Sequence, residues 1–387
     1  MFLQRYPSRL KQLLPKLRIP VVQGPFGGGA STVELVAACS NSGALGSYGA
    51  HYVAPGDIAP LVAQLRAAVG PDAPFAVNLW CHIAHDDRAN LGALNSGGPE
   101  YLEKHAARVA EHYKKYGAVP PGFPDGGIVG HRFDEQVKAL LEANPPVISF
   151  VMGVPPPAVI EEARRRGIVT FGCATTVAEA LALEHAGIDA IVASGVEAGG
   201  HRGTFLKTDP NTPVPDETTF TLVPRVRAAV SKKIPVIAAG GVSTPEAALA
   251  ALTLGADGVQ IGTAFVVSDE SGAAPVHKAA ILDRTDPARR SCLTRAFTGR
   301  SARGIPNQFA KDLYEAEVNG ELPGYPVQNY LTVPLRKKAG RAGDKDGLLL
   351  WCGQAGTLVQ RGKAAEILKR FEDGVDEAAK GIAKFAN

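Results

Sequence analysis

Short apolar runs that end in glycine or a polar residue recur along the chain at 19–23, 44–47, 75–79, 147–151, 168–171, 190–193, 235–239 and 258–261. They are continuously apolar rather than alternating, which is the pattern of parallel strands covered on both faces. Between most of them the apolar period changes to that of an amphipathic helix, at 32–42, 56–69, 135–143, 157–166, 177–186, 223–232 and 245–254. Strand and helix in alternation predict a parallel sheet, and eight repeats predict its closure into a (β/α)₈ TIM barrel, with an open doubly wound sheet as the alternative. Local signals agree at two helix starts: Thr244 is placed to cap a helix with Pro245 in its first turn, and Thr175-Thr176-Val177-Ala178-Glu179 has the spacing of a capping box. Gly187 and Gly255 fall where the matching helices should end.

The alternation breaks once. Residues 80–132, rich in His, Asp, Gly and Pro with a predicted helix at 100–115, form an insertion on the third strand-to-helix loop. That is the catalytic side of a barrel, so the insertion is a candidate lid. After the eighth strand the period is lost; 297–314 and 362–386 read as helices between polar loops. The organisation expected is a barrel over 1–267, insertion included, followed by a mainly helical cap over 268–387.

Composition narrows the function classes. The 387 residues are 45% apolar and 20% charged, which describes an ordinary globular protein. A net charge of +3 from scattered basic residues gives no footprint for nucleic acid. Cys39, Cys81, Cys173, Cys292 and Cys352 are far apart and lack zinc spacing, so they read as reduced thiols. The first 18 residues mix Arg and Lys with Leu too evenly for a signal-peptide core, and no stretch is long and apolar enough for a membrane span. A cytoplasmic protein is expected, with the oligomeric state open and a homodimer among the options.

The candidate chemistry lies on the loops that follow the strands. Ser194-Gly195-Val196-Glu197-Ala198-Gly199-Gly200-His201-Arg202-Gly203 follows the sixth, and combines glycines that let a ligand approach the backbone with an imidazole suited to proton transfer. Glu197 could orient that imidazole. Gln23-Gly24-Pro25-Phe26-Gly27-Gly28-Gly29 follows the first strand, capped by Ser31 or Thr32, and Asn78 with Trp80 closes the third. Ala239-Gly240-Gly241 and Gly262-Thr263 follow the seventh and eighth, the loops with which barrels commonly hold a phosphate. His82, His85, Asp86 and Asp87 invite a metal reading but lack a distant ligand, so no metal is expected. Neither a Walker loop, a GxGxxG fingerprint nor a Ser nucleophile elbow is present.

Together, Pro20-Val21-Val22-Gln23-Gly24-Pro25-Phe26, Val77-Asn78, Gly195 to Gly203, Ala239-Gly240-Gly241, Gly262-Thr263, Gly299-Arg300 and Leu350-Trp351-Cys352-Gly353-Gln354 resemble the nitronate monooxygenases, formerly called 2-nitropropane dioxygenases. The resemblance spans nearly the whole chain. It implies non-covalent FMN, and an enzyme that oxidises nitronates with O₂ to a carbonyl compound and nitrite, with nitroalkanes as further candidate substrates. It also implies that Gln23, Pro25, Phe26, Gly27 and Asn78 meet the isoalloxazine and that Cys173, Ser194, Gly199 and Gly200 flank it. Ala239, Gly240, Gly241, Gly262 and Thr263 would surround the phosphate, and His201 would be the catalytic histidine. Three positions depart from common family residues: Phe26 replaces Met, Ser194 replaces Gln, and Cys352 replaces Ala. Flavin-dependent enoyl-acyl-carrier-protein reductases, which use NAD(P)H, share a similar Glu-Ala-Gly-Gly-His segment and are the main alternative. A phosphate-handling isomerase or aldolase and a flavin-binding protein without turnover are the others.

Overall fold

A computed structural model describes residues 1–81, 97–123, 133–206, 215–286 and 289–384. Its central sheet contains β1 (Val21–Gln23), β2 (Gly46–Gly49), β3 (Phe75–Trp80), β4 (Val147–Val151), β5 (Val169–Ala174), β6 (Ala190–Ser194), β8 (Val236–Ala239) and β9 (Gly258–Ile261). These eight strands are parallel and run in the order β1-β9-β8-β6-β5-β4-β3-β2. The two ends meet: Val22 bridges Leu45, and Gln23 N–H donates to Leu45 O at 2.9 Å. The sheet is therefore a closed barrel, and the open-sheet alternative is excluded.

The apolar runs are buried on both faces, as their composition demands. Inward-facing Val22, Leu45, Ala76, Phe171, Val192 and Ile237 join Leu10, Leu14 and Leu17 in one cluster, so the N-terminal segment plugs the barrel. It does so from the amino end, because Ser8 and Arg9 are anchored to Asp257, the residue before β9. Thr32, Thr176 and Thr244 cap their helices by accepting from the N–H groups of Leu35, Glu179 and Ala247. The box expected at Thr175–Glu179 is not reciprocal, since the Glu179 carboxylate turns instead to Thr175 and to residues beyond His201. The helix expected from 223 begins at Thr219, with Pro224 inside it.

The region after β9 is more than a helical cap. Residues 297–314, read from sequence as a helix, contain β11 (Ala302–Gly304); helix begins only at Gln308–Asp312 and Tyr314–Val318. β11 pairs on one side with β10 (Cys292–Thr294) and on the other with β7 (Gly200–His201), and Gly304 also bridges Trp351. Such edge pairing is long-range and leaves no periodic trace. The helix Val327–Ala342 was not expected, because Pro334 and polar neighbours obscure its buried stripe of Val327, Leu331, Leu335 and Ala339. In the insertion, 97–107 and Ala110–Tyr116 are helical; Leu102 packs on Val327 and Leu331, and the Tyr113 hydroxyl donates to Leu331 O. Residues 82–96 and 124–132 of the candidate lid, with His82, His85, Asp86 and Asp87, lie outside the described residues. The last helix, Ala364–Ala383, buries Ile367, Leu368, Phe371 and Val375 and packs between the helices Pro245–Thr253 and Val33–Asn41. It thus completes the barrel's outer ring after residues 268–363 have passed across the mouth.

Candidate active site

The carboxyl ends of the barrel strands bring Gln23–Gly27, Asn78, Cys173, Ser194–His201, Ala239–Gly241 and Gly262–Thr263 to one face, as the alternation requires. Each is fixed by bonds that can be named. The Gln23 side chain is fully buried and braces the first loop, accepting from Ser47 N–H at 3.0 Å and donating to Gly24 O. Phe26 is held through its N–H by Ser31 Oγ at 2.9 Å and bridges Tyr48. Asn78 donates to Ser149 O and Oγ at 3.1 and 2.9 Å, which leaves its carbonyl oxygen for a ligand. Burial pushes the Cys173 thiol up to about 12, so it is a packing group rather than a nucleophile.

Gly240 and Gly241 take φ of 102° and 73°, the left-handed region that turns the chain sharply after β8. The turn is braced by Thr219, whose hydroxyl donates to Ala239 O and Gly240 O at 3.0 and 2.9 Å. Thr219 is held in turn by Glu197, whose carboxylate accepts its N–H at 2.9 and 3.0 Å. Glu197 therefore ties two ligand loops together instead of orienting His201. A Cβ on Gly241 would stand 3.6 Å from Glu197 Cβ, in van der Waals contact with it. The next loop is joined to the C-terminal region: Thr263 Oγ1 accepts from Gly353 N–H at 3.0 Å, and Gln354 N–H donates to Glu197 O at 3.0 Å. Trp351 to Gln354 lie so close across the sixth loop that a Cβ on Gly199 would fall 2.6 Å from Gly353 N.

His201 sits where these layers meet. Its Nε2 is 3.0 Å from Thr298 Oγ1, and its ring stands edge-on between Trp80 and Trp351, with centroids 5.1 and 5.5 Å away. Beyond Trp80, His51 stacks at 3.9 Å and its Nε2 is 3.1 Å from the Tyr325 hydroxyl. Desolvation, then the charges of Arg300, His51 and Arg336, hold His201 far below its ordinary value, at about 3. The imidazole is neutral at physiological pH and can accept a proton, most readily when an anion forms beside it. Behind it, Glu179 accepts from Phe205 and Leu206 N–H at 2.6 and 3.1 Å and from Thr175 N and Oγ1, each at 2.7 Å. Arg202 donates to Gly195 O and Ser194 O at 2.6 and 3.1 Å.

Thr298, Arg336, Tyr325 and His51 were not visible as site residues in the sequence. They come from the cap and the second barrel loop, and no local spacing links them to His201. Trp351 lay in a stretch already marked by resemblance. Among the described residues no group of three or more His, Cys, Asp or Glu could hold a metal ion, and no helix is long and apolar enough to cross a membrane.

Glycine loops, a neutral imidazole and an aromatic enclosure at the carboxyl face of a closed barrel are the arrangement of a (β/α)₈ enzyme, whose chemistry lies at that face. A family model described as nitronate monooxygenase matches residues 8–373. A probable nitronate monooxygenase of Staphylococcus saprophyticus is 36% identical over 96% of this chain and 98% of its own, and one from Staphylococcus aureus is 35% identical over 96% and 98%. Among solved structures, a nitroalkane oxidase from Streptomyces ansochromogenes has a TM-score of 0.82 at 36% identity, covering 97% of this chain and 100% of that one. FabK from Thermotoga maritima has a TM-score of 0.73 at 27% identity, covering 98% and 99%. The chain belongs to the nitronate monooxygenase family and is a flavin-dependent oxidoreductase.

Proposed function

We propose that this protein binds FMN without a covalent bond and oxidises alkyl nitronates, and more slowly neutral nitroalkanes, with O₂ to a carbonyl compound and nitrite. The fit to FMN rests on the cradle. Gly240 and Gly241 turn in the left-handed region without side chains, and a Cβ on Gly241 would stand 3.6 Å from Glu197 Cβ; with Gly262 and Thr263 at the end of the next strand, this bare backbone suits the phosphate. Pro25, Phe26, Gly27, the free carbonyl oxygen of Asn78 and the Gly199-Gly200 backbone would hold the ring, with Cys173 and Ser194 beside it. When bound, FMN supplies the electron transfer from the nitronate and the reaction with O₂.

The chain's own groups position the substrate and manage its proton. The observation that carries the reading is the setting of His201, a neutral base among Arg300, His51 and Arg336. Such a setting favours an anionic substrate and stabilises the anion made when the α-proton of a nitroalkane passes to the imidazole. Trp80 and Trp351 enclose the ring and exclude water from the transfer. A nitronate has already lost the proton and needs only to be placed.

The absorption spectrum of the purified protein is the first test, with FMN, and not FAD, released by acid. Nitrite production from propionate 3-nitronate and nitroethane, with O₂ uptake and no NADH added, tests the reaction. NADH consumption with an enoyl thioester in place of nitrite release would assign the enoyl-reductase chemistry instead, and a colourless protein would exclude both.

A further inference from the structure

Arg336 lies on the helix Val327–Ala342, and its side chain runs back toward the helix start, where Nη2 donates to Asn329 Oδ1 at 2.6 Å and to Asn329 O at 3.2 Å. That start is where Tyr325 meets the cluster around His201: the Tyr325 hydroxyl is 3.1 Å from His51 Nε2, and the Tyr325 ring is 5.8 Å from Trp80. The guanidinium is within Coulombic reach of His201, Tyr52 and Tyr325. Its Nε is buried without a hydrogen-bond partner, and among the described residues no carboxylate pairs with it. Burial raises the Tyr52 phenol above its ordinary value, so it stays neutral at physiological pH and balances none of the guanidinium charge. Desolvation lowers Arg336 to about 10, which still leaves it protonated.

A buried guanidinium edge with no acceptor is costly for a protein to maintain. An arginine serving only to staple its helix to Asn329 has no need to hold an unbalanced charge within Coulombic reach of His201. Arginine is the side chain suited to planar oxyanions, because its N–H groups are fixed in a rigid plane and its charge is permanent.

We infer that Arg336 is a specificity-determining residue of this site: its guanidinium, whose charge no described carboxylate balances, draws in a small planar oxyanion, and the nitronate group is the substrate form it selects. This rests on the reading of the site as one for nitro compounds, but the binding claim is separable from it. Ground-state binding of a neutral nitroalkane gains little from the charge. The transition state for removing its proton, in which negative charge develops on the nitro group, gains more. Loss of Arg336 should therefore raise KM for a nitronate, and for a nitroalkane should lower kcat more than it changes KM.

The experiment uses the flavin-loaded full chain and nitrate, an unreactive planar oxyanion, titrated by calorimetry into the wild type, Arg336→Gln and Arg336→Lys. The expected result is that nitrate affinity falls at least about tenfold in Arg336→Gln, as for loss of a hydrogen bond to a desolvated charge, with Arg336→Lys in between. In parallel, KM for ethylnitronate should rise by a similar factor in Arg336→Gln, and KM for nitroethane by much less. Equal nitrate affinity in all three proteins, no nitrate binding to the wild type at tens of millimolar, or equal rises of the two KM values would overturn the inference. Should Arg336→Gln fail to accumulate folded, Arg336→Lys decides: weakened nitrate binding supports the planar guanidinium as the partner of the oxyanion, and unchanged binding removes it. If the wild type releases no nitrite from any nitro compound yet binds nitrate through Arg336, the proposed reaction fails while this assignment stands.

Discussion

Glu179 offers a test of how the loop behind His201 is held. Its carboxylate takes four hydrogen bonds, from Thr175 N, Thr175 Oγ1, Phe205 N and Leu206 N, at 2.6 to 3.1 Å. It is 1% exposed, so water cannot replace them. Glu179→Gln preserves the shape but exchanges one acceptor oxygen for a donor. If the new NH₂ faces Phe205 and Leu206, two backbone N–H groups lose their acceptor. If it faces Thr175, that residue's hydroxyl can turn to accept, and only the Thr175 N–H is stranded. The second arrangement is the cheaper. It leaves one buried donor unsatisfied, at about 1–3 kcal/mol, and reduces the remaining bonds from charge-assisted to neutral, at somewhat under 1 kcal/mol each, so the net expectation is a loss of about 3 kcal/mol. Urea denaturation of the flavin-loaded protein measures it through the midpoint and slope. Turnover should fall as well, because 202–206 continue directly from His201. A stability loss below about 1 kcal/mol with normal turnover would show that this carboxylate does not hold the loop.

Three further outcomes follow from single positions. Gly241→Val, at φ 73° and facing Glu197, should leave the barrel folded by circular dichroism but lower its flavin content, and normal flavin content in the folded variant would remove Gly241 from the cradle. Gly199→Ala places a methyl 2.6 Å from Gly353 N and 2.7 Å from Cys352 C, both backbone, so the strip 351–354 must lift; faster proteolysis within that strip is the expected readout, and an unchanged digest would show that the loops can yield without separating. Finally, His201 stays neutral in the folded protein down to about 3 but protonates near 6.5 in an unfolded chain. As pH falls between those values the unfolded state gains a proton that the folded state refuses, so stability drops by up to about 1.4 kcal/mol per unit from this group. The flavin-free protein should show that acid sensitivity, and the same slope in His201→Asn would place its source in other buried histidines such as His277.

The strands and most helices could be read from the chain because each is a local contest of period, cap and breaker. Val177–Ala186 begins and ends where Thr176 and Gly187 require, and Pro245 marks its helix start for the same reason. The site was legible to the extent that strand ends carry it: Asn78, Ser194 to His201, Gly241 and Gly262 were placed by counting strands. What the sequence hid is what folds back from a distance. β7 and β11 pair across about a hundred residues of chain, and Thr298 reaches His201 only because of that ladder. Glu197 looked like a partner for His201 because it is close in sequence, yet the loop turns its carboxylate to Thr219, 22 residues on. Arg336 stands on a helix whose stripe was masked by Pro334 and by polar side chains.

In the proposed reaction His201 serves as a base for neutral substrates and is dispensable as a base for charged ones. Rapid anaerobic mixing, following loss of the oxidised flavin band, isolates that step from the chemistry of O₂. With nitroethane, His201→Asn should reduce its flavin at least about a hundredfold more slowly than the wild type, as for removal of a general base. With ethylnitronate it should retain a substantial rate. Equal slowing with both substrates would make His201 a positioning group instead of a base, and an unchanged rate with nitroethane would remove it from the reaction altogether.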